Sequence, residues 1–160
     1  MNWHEKNAEF NTLIRQLFHD KDWQKRAEAA RQLGILKDGR ATNLLCRALR
    51  SENDHTVINK IIEALGRIRD GRATLRIIEH LKEEQEKYEP DKYRIIYIIE
   101  SLTKIKDKRA LAYLGPLLDS SDNDIKDLTL NAFNIIEPNW KEIIERERNK
   151  SIQEIFRMKE

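Results

Sequence analysis

Four histidines, a single cysteine and a repeated Asp-Gly-Arg are the residues with which this chain of 160 could do chemistry. A metal site on helices wants nitrogen, sulfur or carboxylate donors on one face at helical spacing. His4, His19, His55 and His80 are too far apart for that, and no carboxylate pair accompanies them. Cys46 has no second cysteine to pair with, so an intrachain disulfide and a multi-thiolate site are both excluded. As a nucleophile it would need a base within hydrogen-bond reach, and none is legible around it. A structural, half-buried thiol is therefore expected. The stretch DGRAT occurs at 38–42 and again at 70–74. A phosphate-binding loop brings several backbone amides onto one anion, with more glycines and a Lys-Ser/Thr ending, and that pattern is missing. No catalytic residue, metal ligand or cofactor-binding residue is assigned.

The repetition of DGRAT points to architecture instead. Its surroundings read LGILKDGRATNLLCRALR over 33–50, LGRIRDGRATLRIIEHLK over 65–82 and LTKIKDKRALAYLGPLLD over 102–119. Asp38, Asp70 and Asp107 correspond, as do Arg40, Arg72 and Arg109, and Ala41, Ala73 and Ala110. A worn fourth copy begins at Asp122. Periods in the thirties mark stacked supersecondary units. In the second copy Val57, Ile58, Ile61, Ile62 and Leu65 recur at three and four, one face of a first helix. Ala73, Ile77, His80 and Leu81 do the same in a second helix, where His80 is expected to be a hydrogen-bonded packing residue. The aspartate then reads as N-cap of the second helix, the glycine as a tight turn that Lys108 shows to be dispensable, and the alanine as a close-approach point. Arginine in a first turn opposes the helix dipole, so its recurrence predicts a specific partner, a neighbouring repeat's carboxylate.

The run RAEAARQLGILKDGRATNLLCRAL resembles the short HEAT-like repeat of the phycobiliprotein lyase (PBS lyase) type, over about residues 22–136. The departures are Gly39 and Gly71 where that family often has proline, Lys108, and the extra residues 83–91. Ankyrin and tetratricopeptide repeats lack support, because the Pro-Leu-His of the first and the fixed aromatics of the second are absent. The resemblance implies an all-α fold, a right-handed α-α superhelix of helical-hairpin repeats with N- and C-terminal capping helices. The expected organisation is one α-solenoid domain over 1–160. Its parts are a cap helix at 1–20, repeats at 22–51, 53–86, 91–119 and 122–136, and a C-terminal helical cap or tail at 138–160. Second helices of such solenoids line a concave side. By register that strip carries Asn43, Arg47 and Arg50, then Leu75, Glu79 and Lys82, then Ala112, Pro116 and Asp119.

The ends and the insertion follow the same logic. Phe10, Leu13, Ile14, Leu17 and Phe18 form one stripe of a helix over about 4–19 that caps the first repeat. Pro138 opens a further helix, and Ser151 with Glu154 starts another after a break near Asn149. Ile155 and Phe156 lie where little chain remains to cover them, so the tail is either a second cap or a self-association helix giving a homo-oligomer. Trp3, Trp23 and Trp140 read as packing anchors. Residues 93–99, YRIIYII, have strand propensity but fall on a first helix by register. Pro116 should shorten the second helix of the third repeat.

Composition narrows function. Residues 21–82 hold 14 Lys and Arg against 8 Asp and Glu, whereas 83–160 hold 14 against 17. The abundance of Ile, Lys, Glu and Arg suits a thermophilic protein. The N-terminus lacks the basic start and apolar run of a signal peptide, and no stretch reaches the ~18 apolar residues of a membrane helix. A cytoplasmic chain with no membrane partner is expected. The leading expectation is a non-catalytic scaffold or adaptor that binds a protein or peptide partner along the strip. The alternative is nucleic-acid binding through 21–82. The third, which comes from the resemblance, is a subunit of a bilin-lyase-like enzyme complex.

Overall fold

A computed structural model describes residues 2–157, and among them all regular structure is helical. The helices are α1 (Trp3–His19), α2 (Trp23–Leu36), α3 (Ala41–Ser51), α4 (His55–Ile68), α5 (Thr74–Glu86), α6 (Lys92–Ile105), α7 (Ala110–Leu114), α8 (Asn123–Ile136), α9 (Trp140–Arg146) and α10 (Ile152–Arg157). The chain divides into two compact units, residues 1–73 and 74–160.

In the first unit α2 and α4 are the first helices of successive repeats and stack on each other. The close fit comes from Gly34, where an added Cβ would lie 2.8 Å from the Ala64 Cα. Leu33, Ile61, Ile62 and Leu65 fill the interior with no exposure. Second helix α3 packs on α4, and α1 packs on both α2 and α3. Helix α1 turns out to follow the repeat register itself. Leu13 and Leu17 are buried 32 residues before Leu45 and Leu49, and Arg40 donates to Asn7 Oδ1 where Arg72 donates to the Gly39 carbonyl, each 33 positions back. It therefore occupies the place of a second helix and covers the apolar flank of α2.

In the second unit α6 and α8 stack, α5 packs on α6, and α7 is held by α5, α8 and α10. Residues 93–99 are helical, with Ile95, Ile98 and Ile99 buried, so register overrides strand propensity. Proline at 116 ends α7 after five residues and converts the rest to a 3-10 helix over Gly115–Asp119. The break near Asn149 separates α9 from α10. Pro138 lies in the turn before α9 rather than in its first turn. Ile155 and Phe156 are 3% and 1% exposed, so the reading of α10 as an uncovered association helix is overturned. Six residues suffice because α10 folds back on α7, with Ile152 against Gly115 and the Phe156 ring 6.2 Å from that of Phe133.

Tryptophan fares less well as a packing anchor. Trp3 is 69% and Trp23 42% exposed, because both sit at the first position of a helix where the buried stripe has not begun. Trp140 alone of the three packs, 5.1 Å from Phe133, with its indole N–H donated to Asn134 Oδ1 at 2.7 Å.

Candidate functional site

The DGRAT corner is built around the aspartate. In the first copy Asp38 Oδ1 accepts from the Arg40 amide at 2.9 Å, and its carboxylate takes the Arg40 guanidinium side-on at 2.7–3.2 Å. Asp70 with Arg72 and Asp107 with Arg109 repeat the arrangement. The arginine's carboxylate is thus its own corner's, not a neighbour's as the sequence suggested. Two residues suffice for the reach because the chain turns back in a 3-10 step here, with Ala41 N bonded to Asp38 O. The aspartate caps this lead-in turn rather than the α-helix proper, whose N-cap is Arg40. A guanidinium N–H also passes to the previous repeat: Arg40 donates its spare Nη1 to Asn7, and Arg72 donates from the Nη2 that Asp70 also holds to the Gly39 carbonyl. Arg40 also lies 4.4 Å over the Phe10 ring.

Strain sits one residue before the aspartate. Lys37, Arg69 and Lys106 end their helices with φ of 52°, 62° and 60°, the left-handed conformation that glycine usually supplies. Gly39 has no positive φ and open space around its Cα, so the turn makes no demand on it. Lys108, in its place in the third copy, pairs with Glu137 at 2.7 Å. Electrostatics follow the geometry. The Arg72 guanidinium holds the Asp70 carboxyl down to about 2, with help from the Thr42 side chain of the preceding repeat. Asp38 is lowered chiefly by Arg40. Asp107 is also lowered, the opposing effect of its burial being outweighed by Arg109 and Thr74. Thr42 and Thr74 are fully buried, and each helps to lower the aspartate of the following corner, Asp70 and Asp107. The fifth letter of DGRAT thereby acts on the next repeat's corner, which sequence reasoning missed.

A second set of corners was also only partly legible. Asp22, Asp54, Asp91 and Asp122 cap α2, α4, α6 and α8, accepting from backbone amides at 2.9–3.2 Å. Their own amides are held by Asp20, Glu52, Glu84 and Ser120. Spacings of 32, 37 and 31 gave the signal, in step with the DGRAT corners. Arg26 ties two of these corners, through both nitrogens to Glu52 and to the Asp20 and Lys21 carbonyls. It stands in a polar cavity of about 540 Å³ lined also by Asn53 and Asp54, where Arg26 pairs with Glu52 and the Asp20 and Asp54 carboxylates accept backbone amides.

The histidines and Cys46 do not assemble. Among the described residues no three His, Cys, Asp or Glu side chains converge as metal ligands would. His80 is mostly buried on α5, and its Nδ1 has no hydrogen-bond partner among the described residues, contrary to the expectation from sequence; the Glu83 carboxylate lies at 3.7 Å. Desolvation pushes its imidazole below the ordinary histidine range, with nearby Arg94 acting the same way and Glu83 opposing. Glu84 and Arg94 are buried near it at 2% and 4% exposure, opposite charges that the sequence did not reveal because Glu84 lies within the 83–91 insertion and Arg94 just beyond it. Lys87 pairs with Glu84 from the surface.

The strip residues are placed as follows. In the first unit Asn43, Arg47 and Arg50 are exposed on α3. In the second, Leu75, Glu79 and Lys82 are exposed on α5, with Glu79 bonded to Arg76 and Lys82 4.8 Å over the Tyr113 ring. Pro116 and Asp119 are exposed, but Ala112 is 3% exposed and cannot belong to an open strip. Helix α7 is enclosed by its three neighbours, including α10, which the register did not anticipate.

Helices stacked in 32-residue register, with corner ladders joining successive copies, are matched by a family model for HEAT repeats over residues 10–89, half the chain. The chain belongs to the HEAT repeat family. The HEAT match begins within α1, in keeping with the second-helix register of that element, and extends to no narrower subtype. No curated protein matches the chain. HEAT repeats generally serve as protein-interaction scaffolds. No helix among the described residues is long and apolar enough to cross a membrane.

Proposed function

We propose that this HEAT repeat protein is a non-catalytic scaffold that binds a protein partner through the outward positions of its second helices. These are Asn43, Arg47 and Arg50 in the first unit and Leu75, Glu79, Lys82, Pro116 and Asp119 in the second. One contrast carries the reading. The recurrent charged residues at both sets of corners are consumed by internal hydrogen bonds and ion pairs, whereas α3 presents Arg47 and Arg50 to solvent with no ion pair among the described residues. A family whose members work through surfaces puts its information where structure does not use it. Affinity purification from the native source tests this, with wild type compared against Arg47→Ala/Arg50→Ala and against Glu28→Ala on a first helix. Partners lost with the first variant and kept with the second support the location. A partner set unchanged by both removes it.

A further inference from the structure

We infer that the α1/α3 face of the first unit is a docking site for an acidic polypeptide segment, one with an apolar residue between its carboxylates. The inference rests on the scaffold reading and deepens it. Of the nine arginines in residues 1–73, Arg26, Arg31, Arg40, Arg67 and Arg72 are each within ion-pair distance of a carboxylate. Arg15, Arg47, Arg50 and Arg69 are exposed and have no such partner among the described residues. Arg69 is the left-handed residue of a corner. The other three share one face. The register that places Asn7 beside Arg40 and buries Leu13 and Leu17 in step with Leu45 and Leu49 also places Arg15 level with Arg47, and Phe18 level with Arg50. Helix α3 contains no Asp or Glu, and the acids of α1 are confined to Glu5 and Glu9 in its first half.

Two parallel arginines without an intervening acid repel each other and gain from an anion held between them. Packed helices lie about 8–10 Å apart. An extended peptide crossing them advances about 3.3 Å per residue, so carboxylates two or three positions apart span roughly 7–10 Å and meet both guanidiniums. Between the charges Ile14, Phe18 and Leu44 are half-exposed, an apolar floor for the intervening side chain. A nucleic-acid strand fits less well. Its affinity grows with the number of phosphates neutralised, commonly about 6–10, and three arginines supply too few. Among the described residues, Phe18 is the aromatic side chain at these register positions of α1 and α3, and one ring is too little for a stacking platform.

The test is fluorescence anisotropy on the full chain at low salt. Its probes are a labelled peptide repeating Glu-Ser-Glu-Leu, a matching Lys-Ser-Lys-Leu peptide and labelled oligothymidylate. The acidic peptide should bind, weaken with added salt, and lose about tenfold or more in affinity in Arg15→Ala/Arg47→Ala, a loss of about 1.4 kcal/mol. Far-UV circular dichroism should be unchanged, since both side chains are exposed. Failure of the acidic peptide to bind overturns the inference, as does binding indifferent to the double variant. Tighter arginine-dependent binding of the oligonucleotide overturns it in favour of nucleic acid. Photo-crosslinking from position 79 in α5 reads the scaffold proposal separately. A protein adduct there, without acidic-peptide binding, overturns the acidic-segment inference and leaves the scaffold standing.

Discussion

Glycines 34 and 39 look interchangeable as letters and are opposites in the structure. An alanine methyl at 34 would enter the backbone of α4, and overpacking of this kind costs about 1–3 kcal/mol. At 39 the same methyl meets nothing and the backbone imposes no left-handed φ, so Gly39→Ala should be neutral or stabilise by up to about 1 kcal/mol by restricting the unfolded chain. Urea denaturation of both variants checks the pair, and equal effects would contradict it. The corner aspartates make a pH prediction. Asp70 has an ordinary value of 3.8 and a folded value of about 2, so its ion pair stabilises fully above about pH 4 and is lost as pH falls toward 2. Because Arg72 is half in solvent, the effect is that of a surface pair, about 0.2–1 kcal/mol. The urea midpoint of Asp70→Asn should therefore fall less steeply than wild type between pH 4 and pH 2. A parallel fall would show that the carboxylate is no better held folded than unfolded.

At the scale of elements, what the sequence made legible was whatever is spelled repeatedly. Asp-x-Arg-Ala fixed the corners between first and second helices because each copy solves the same geometric problem with the same residues. The opposite corners were harder to see, since Asp22, Asp54, Asp91 and Asp122 share one letter and draw their supporting acceptor from different residues. Arg40, Arg72 and Arg109 showed that a partner was needed but not which one, because a contact two residues away and one a repeat away look alike in a register. Helix α10 was legible as an element from Ser151 and Glu154 but not in its docking, because it is short and belongs to no repeat. Its importance is now measurable. Phe156 is 1% exposed against Phe133, and Phe156→Ala should cost about 3–5 kcal/mol. Thermal unfolding with a dye for exposed apolar surface would read this, and a loss below about 1 kcal/mol would mean that α10 rests on the surface without stabilising it.

For the whole molecule, stability should be distributed as the packing is. In repeat proteins each element is held by its neighbours, so helices stacked on both sides outlast those with one partner or none. Helix α4 is the best held, with Val57, Ile61, Ile62 and Leu65 at zero exposure and packing partners in α2 and α3. In the second unit α6 comes close, with Ile98, Ile99 and Leu102 equally covered between α5 and α8. Helix α9 is the reverse: seven residues, none buried, attached mainly through the Trp140 ring. Local opening costs little where few apolar contacts are lost, and amide exchange reports that cost directly. Native-state hydrogen exchange should thus find α9 exchanging first, α1 and α5 at intermediate rates, and α4 last, near the global unfolding limit. Equal protection in α9 and α4 would mean that the chain opens only as one unit, and that nearest-neighbour packing does not set its local stability.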